Sequence, residues 1–291
     1  MINFENVSLQ YGKNAALSNV SVQLPEEGIC GVLGRNGAGK TSFLSLLCAY
    51  RRPTSGTVTI SGEDPYENTN IMPKISFVHD SKSEVENEIK VKDKIKIAAA
   101  LRPNWDAAYA EKLIKLFDIP VKKKIGALSH GMRSAVNVMI GLASQAPITV
   151  YDEAYLGMDA AMRKLFINEL LEDYMERPKL ILFSTHFVNE MEGLFSEAII
   201  INKGQVLVHD ESDALRQRGT TVIGFIEDVD RFIDNHEVLS ERTLGRQKEA
   251  VLFGELSEKE RQAAKENGLE LSQPSLQDLF IYMTEEGGRD S

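Results

Sequence analysis

The residues with the clearest potential for chemistry form the run 34–41, which reads GRNGAGKT. The pattern G-x-x-x-x-G-K-T is typical of a loop whose glycines let several backbone N–H groups turn towards phosphate oxygens. In such a loop Lys40 would contact the β- and γ-phosphates of a nucleotide, and the Thr41 hydroxyl would bind Mg²⁺. We therefore predict a nucleotide-binding loop made of Gly34, Arg35, Asn36, Gly37, Ala38, Gly39, Lys40, Thr41 and Ser42.

The segments on either side of this loop are those that such a site needs. The apolar run 28–33 has the length of a buried strand, and residues 42–48 are apolar at helical spacing. A helix that begins at the loop adds the positive end of its dipole to the phosphate contacts. The alternative is a glycine-rich turn that binds nothing, and the flanks on both sides argue against it.

Two adjacent acids, Asp152 and Glu153, follow a second apolar run at 148–151. A buried strand that brings a carboxylate beside a phosphate-binding loop supplies what a Mg²⁺–nucleotide site requires. Asp152 would hold the metal, directly or through water, and Glu153 would orient or deprotonate an attacking water. Two acids after an apolar strand are common by chance, so this prediction depends on the loop.

Two further candidates are an aromatic and a histidine at the ends of predicted strands. Tyr11 follows the strand 1–10, where a nucleotide base can stack on its ring, although packing alone is the commoner use of such an aromatic. His186 follows the buried strand 180–184, at the end where ligands lie in open α/β sheets. We predict that His186 senses phosphate, while a lone histidine is more often structural.

Composition limits the possible partners and compartments. The chain has 291 residues, 43% of them hydrophobic and 26% charged, which suits one large domain and one small one. The net charge of −10 argues against wrapping nucleic acid. No apolar run has the length of a membrane span, and the N-terminus does not resemble a signal peptide. We expect a cytoplasmic protein that reaches the membrane only through a partner.

The order of predicted segments indicates an α/β fold with two additions. Charge is dense and helical spacing prevails from residue 81, so we predict a helical lobe over about 81–145 within an α/β domain at 1–219. From residue 220 the pattern restarts, with strands at 221–226 and 250–253 and helices at 257–267 and 275–283. We interpret 220–291 as a small α+β domain.

Taken together, these residues resemble the nucleotide-binding subunit of an ABC (ATP-binding cassette) transporter over 1–218. The resemblance implies a P-loop NTPase core with an antiparallel β subdomain and an inserted helical lobe, plus the small C-terminal α+β appendage. It identifies Tyr11 with the adenine-stacking aromatic, 34–41 with Walker A, Asp152 with Walker B, Glu153 with the catalytic glutamate, Asp159 with the D-loop and His186 with the switch histidine.

The chain departs from the family at two loops. The signature loop, usually LSGGQ, reads LSHGM at 128–132, so Ser129 and Gly131 are kept and are expected to touch the γ-phosphate held by a partner protomer. The altered ending looks like the antibiotic- and peptide-exporting branch. Asp80 stands at or near the position of the Q-loop glutamine, where its carboxylate can still reach Mg²⁺.

The resemblance implies an ATPase that uses ATP and Mg²⁺, with Glu153, His186 and Lys40 as its catalytic residues. Two such subunits, as a homodimer or a heterodimer with another ABC ATPase, would enclose two ATP molecules and drive a separate transmembrane permease. The implied substrate is a drug, an antibiotic or a peptide. Two alternatives stay open: a soluble ABC ATPase not coupled to transport, and an ATP-binding but weakly active partner in a heterodimer.

Overall fold

The computed structural model describes residues 1–79, 84–185, 188–189 and 191–284. Two residues that the sequence singles out, Asp80 and His186, lie outside the described residues. The strands are β1 (Ile2–Tyr11), β2 (Asn14–Leu24), β3 (Gly28–Leu33), β4 (Ser55–Ile60), β5 (Ile75–His79), β6 (Ile148–Asp152), β7 (Leu180–Thr185), β8 (Glu197–Asn202), β9 (Gln205–Glu211), β10 (Gly219–Phe225), β11 (Glu237–Leu244), β12 (Gln247–Phe253) and β13 (Glu270–Ser272).

The helices alternate with these strands, which confirms the predicted α/β class. Short 3₁₀ turns lie at Met72–Lys74, Ile125–Ala127 and Glu192–Leu194. The α-helices are α1 (Lys40–Leu47), α2 (Glu84–Glu88), α3 (Val91–Leu101), α4 (Ala107–Leu116), α5 (His130–Ala143), α6 (Ala160–Glu176), α7 (Ser212–Gln217), α8 (Ile226–Ile233), α9 (Glu258–Glu266) and α10 (Leu276–Thr284). Within the described ranges, none of these helices combines the length and the apolarity needed to cross a membrane.

The central sheet has six strands in the order β5-β6-β7-β3-β8-β9. Its strands β3, β6 and β7 are buried along their whole length, as continuous apolar runs flanked by helices should be. Neighbouring strands from β5 to β8 run parallel, so their carboxyl ends share one edge of the sheet. That edge receives both the glycine-rich loop after β3 and the acids after β6.

A second sheet, β2-β1-β4, is antiparallel and supplies the predicted β subdomain. Strand β2 begins at Asn14, which pairs with Tyr11 in a tight hairpin. The hairpin places Tyr11 at its tip. The inner face of this sheet and the ring of Phe43 on α1 share one hydrophobic core with the central sheet, and the Phe43 ring stacks on Phe4 at 4.5 Å.

The inserted lobe contains α2 to α5 and joins the larger hydrophobic core of the chain. Asp106 caps α4, because its carboxylate accepts the N–H of Tyr109 at 2.8 Å. Ser129 caps α5 in the same way, accepting the N–H of Met132 at 3.2 Å. The cap by Ser129 therefore holds the N-terminus of α5, which carries the signature residues 128–132, in one conformation.

The C-terminal region is a four-stranded antiparallel sheet, β11-β12-β10-β13, with α8 and α9 around its own core. The sequence did not indicate β11, because that strand carries mostly polar residues on exposed backbone. The final helix α10 departs from this unit. Its Leu276 and Phe280 belong to the larger hydrophobic core, which the inserted lobe also joins, and the N–H of Leu276 donates to Glu192 Oε2 at 2.9 Å.

Candidate active site

The glycine-rich loop connects β3 to α1 and exposes its apex. Gly37 and Gly39 have φ angles of 81° and 114°, in the left-handed region that favours glycine. Gly39 is the N-cap of α1, which begins at Lys40. A Cβ atom added at Gly37 would meet no atom within 4 Å, so the apex is open to a ligand. Thr41 and Ser42 follow in the first turn of the helix.

The phosphate-binding loop packs against residues 16, 201 and 204, and the sequence did not predict these contacts. The turn between β8 and β9 contacts its inner side, where the N–H of Gly204 donates to Ala38 O at 2.8 Å. A Cβ atom at Gly34 would lie 2.7 Å from Ile201 O, and one at Gly39 would lie 2.8 Å from Ala16 O. These approaches leave no room for a side chain. They fix the loop conformation before any ligand binds.

Lys40 lies across the mouth of the loop and is only 6% exposed. Its ammonium group donates to Gly34 O at 2.8 Å and to Arg35 O at 3.3 Å, and it lies 3.7 Å from Glu153 Oε1. Burial lowers the pKa of Lys40, while the negative charges of Glu153 and Asp152 act in the opposite direction and raise it. The loop and the two acids therefore form one electrostatic unit.

The two acids differ in their environment. Asp152 ends β6, and its buried Oδ1 has no hydrogen-bond partner among the described residues. A buried carboxylate oxygen without a partner is costly, so it suits a cation or a hydroxyl ligand. Glu153 has φ 50°, a strained value for a residue with a side chain, and its N–H donates to Ser184 O at 3.3 Å. The chain therefore turns at Glu153, directly after strand β6 ends at Asp152.

Tyr11 stands at the tip of the β1–β2 hairpin with 40% of its surface exposed. The guanidinium carbon of Arg51 lies 4.9 Å from the centre of its ring, a cation–π contact that covers one face. The sequence pattern gave no sign of this contact, because 40 residues separate the partners and Arg52 carries the same charge. Arg52 instead covers Tyr66 at 4.4 Å.

The remaining predicted residues form a second group at the N-termini of α5 and α6. Asp159 caps α6, and its carboxylate accepts the N–H of Met162 at 2.8 Å. Gly131 lies against the segment before α6, because a Cβ atom there would be 2.6 Å from Gly157 O. The structure thus brings the signature loop together with the D-loop segment of the same chain.

Comparison with known proteins identifies the fold that carries this site. Residues 17–156 match the sequence family described as "ABC transporter". The chain is 26% identical over 206 residues to the ABC transporter ATP-binding protein NatA of Bacillus subtilis (strain 168), covering 69% of this chain and 83% of NatA. It is also 26% identical over 232 residues to the bacitracin transport ATP-binding protein BcrA of Bacillus licheniformis, covering 77% and 74% of the two chains.

Solved structures show the same architecture. The dimeric structure of MJ0796, a bacterial ABC transporter cassette, has a TM-score of 0.62 at 21% identity, covering 73% of this chain and 99% of that one. A dimeric post-hydrolysis state of that cassette, bound to ADP and Pi, also has a TM-score of 0.62, at 20% identity and the same coverage. The loop, the acids and the family match lead to one conclusion: residues 17–156 belong to an ATP-binding domain of the ABC transporter family, which is an ABC-type ATPase domain.

Proposed function

We propose that the chain is the ATP-hydrolysing subunit of an ABC exporter, with residues 1–219 as the ATPase domain and 220–291 as a small second domain. The observation that carries the proposal is the contact between Lys40 and Glu153 at the mouth of the loop, 3.7 Å apart. It puts a phosphate-binding cation and a basic carboxylate on either side of the place where a γ-phosphate would enter.

The chemistry follows from the residues around that place. The N–H groups of 34–39 and the charge of Lys40 bind the phosphates of ATP, which arrives with Mg²⁺. The Thr41 hydroxyl and the unpartnered oxygen of Asp152 would hold Mg²⁺, which takes hard oxygen ligands and would supply positive charge beside the phosphates. Glu153 orients a water and accepts its proton as the water oxygen bonds to the γ-phosphorus and the bond to ADP breaks.

The ion pair also suggests how binding prepares the reaction. Before ATP binds, the Lys40 ammonium is engaged by the carbonyls of Gly34 and Arg35 and by Glu153. A γ-phosphate competes for the same ammonium group. The carboxylate of Glu153 then becomes available to a water, so substrate binding itself turns Glu153 into a base.

The proposal includes a dimer in which Ser129 and Gly131 complete the nucleotide site of the partner protomer. Ser129 caps a helix of 14 residues and is exposed, so the positive end of that dipole faces outward. An exposed helix N-terminus suits a phosphate of a ligand carried by another chain. The dimeric state of the MJ0796 cassette supports this arrangement.

A cleft between β5 and the helical lobe suits the membrane partner. It has a volume of about 280 Å³ and is lined in part by Phe77, Arg102 and Asn137. Ile97 and Leu101 beside it are 52% and 70% exposed. We propose that a segment of a separate permease inserts here, next to His79. The name of BcrA, a bacitracin transport ATP-binding protein, supports transport of an antibiotic as the activity.

Turnover measured against protein concentration tests the proposal. If two chains must meet around ATP, the specific activity of the purified chain rises with its concentration and then levels off. A colorimetric assay of released phosphate over a hundredfold concentration range, with Mg²⁺–ATP in excess, measures this. Constant specific activity would favour a soluble ATPase that works as a monomer. Bound ATP without turnover would favour the weakly active heterodimer partner.

Tyr11 is predicted to bind the base and not the phosphates. Replacing Tyr11 by Ala removes a stacking surface worth roughly 1–3 kcal/mol for one base, so ATP should bind about tenfold more weakly. Inorganic triphosphate, which has no base, should bind as before. Competition of both ligands against a fluorescent ATP analogue measures the difference.

The matched control is Tyr66→Ala, because an arginine also covers the ring of Tyr66, at 4.4 Å. The control should leave the affinities for ATP and for triphosphate unchanged. Equal weakening of both ligands by Tyr11→Ala would show that Tyr11 supports the loop and does not stack on a base.

A further inference from the structure

The signature loop and the turn after Glu153 meet at two glycines. A Cβ atom added at Gly131 would lie 2.6 Å from Gly157 O, and the Cα of Met158 would be 3.8 Å away. No side chain fits at this distance without displacing backbone. The first turn of α5 therefore touches the segment 157–158 directly, backbone to backbone.

His130 closes the same contact from the other side. A Cβ atom at Gly157 would lie 2.6 Å from Nδ1 of His130, 2.8 Å from its Cγ and 2.9 Å from its carbonyl carbon. The imidazole thus covers the Cα of Gly157. Residue 157 is held between the ring of His130 and the backbone of Gly131.

Short hydrogen-bonded turns connect this contact to Glu153. Leu156 donates its N–H to Glu153 O at 3.3 Å, and Met158 donates to Tyr155 O at 3.0 Å. The side chains of Tyr155 and Met158 are buried in the main core, which also holds Leu128. The segment 153–158 therefore has little freedom to deform, and a shift at residue 157 reaches Glu153 within four residues.

We propose that His130 is a positioning residue that ties the partner-facing end of α5 to the turn carrying Glu153, and so couples the two nucleotide sites of a dimer. The inference rests on the proposed function. Ser129 touches the nucleotide held by the partner, whereas Glu153 acts on the nucleotide held by its own chain. When a phosphate binds at Ser129, the contact of His130 with Gly157 then fixes the position of the Glu153 carboxylate.

The experiment is a double-mutant cycle on His130→Gly and Gly157→Ala, read out by ATP affinity, kcat and the Hill coefficient for ATP. His130→Gly should lower kcat about tenfold and bring the Hill coefficient towards 1, while ATP binding to the dilute chain changes less than twofold. Gly157→Ala should be harmful alone, because its methyl group meets the imidazole. It should cost measurably less in the His130→Gly background, where the ring is gone and the backbone carbonyl carbon of residue 130 is the remaining close contact.

Gly193→Ala is the matched control, because a Cβ atom there would meet no atom within 4 Å. It should behave as the unaltered chain in all three readouts. A contact that only stabilises the fold would change the melting temperature without changing the Hill coefficient. If Gly157→Ala fails to fold, the kcat and the Hill coefficient of His130→Gly alone still test the role of His130.

The outcomes separate the two proposals. Cooperative turnover in the unaltered chain that persists undiminished in His130→Gly would overturn the role of His130 and leave the proposed function intact. Additive effects in the cycle would do the same. Turnover that is absent or non-cooperative in the unaltered chain would overturn the proposed active dimer of two copies of this chain, and the coupling with it.

Discussion

Replacing Glu153 by Gln lowers ATP turnover at least about 100-fold while ATP remains bound, because an amide cannot accept the proton of the attacking water. The substitution keeps the size of the side chain and removes one negative charge from beside the γ-phosphate. Repulsion between carboxylate and phosphate falls, so the ATP-bound dimer should live longer. We expect the variant with Mg²⁺–ATP to elute as a dimer in size-exclusion chromatography with light scattering.

Glu88→Gln is the control for this experiment. Glu88 also pairs with a lysine, because its Oε2 lies 2.7 Å from Lys124 Nζ. Both of these side chains are on the surface of the lobe. This variant should keep full turnover and should not accumulate as a dimer. A Glu153→Gln chain that retained a tenth of the activity, or that stayed monomeric with ATP, would contradict the assignment of Glu153.

The parts of the candidate site that the sequence predicts are those whose residues are neighbours along the chain. The loop 34–41 and the pair Asp152–Glu153 are each contiguous, and each follows a buried strand whose apolar run is visible in the letters. In a parallel sheet the carboxyl ends meet at one edge, so adjacency of the loop and the acids could be inferred without coordinates. The contact of Lys40 with Glu153 agrees with that inference.

Contacts between distant segments were not predictable in this way. Arg51 and Arg52 are chemically identical in the sequence, and only the fold puts one over Tyr11 and the other over Tyr66. Gly157 carries no pattern of its own, and its role depends on the approach of α5.

The final helix was correctly predicted as a helix, but its apolar face does not say which core it joins. Its buried residues pack into the larger hydrophobic core, although the preceding strands form a separate sheet. Amphipathic spacing predicts that one face of a helix is buried. Tertiary packing determines which core that face joins.

Replacing Lys40 by Met weakens the binding of ATP and of inorganic triphosphate alike, in contrast to the loss of Tyr11. A charge-assisted hydrogen bond to phosphate contributes about 1.5–3 kcal/mol, so affinity for both ligands should fall about 10- to 100-fold. Methionine has nearly the same length and fits the buried position, so the fold should survive. Isothermal titration at pH 7 measures both affinities, with Lys112→Met as control, because Lys112 pairs with Glu169 outside the loop.

The pH dependence of binding makes the same prediction sharper. Burial lowers the pKa of Lys40, so its ammonium group loses its proton at a lower pH than the ammonium group of an exposed lysine does. ATP affinity of the unaltered chain should therefore fall as the pH rises through that lowered pKa, and the difference from Lys40→Met should shrink. A difference in affinity that stayed constant to high pH would mean that the charge of Lys40 does not bind the phosphates.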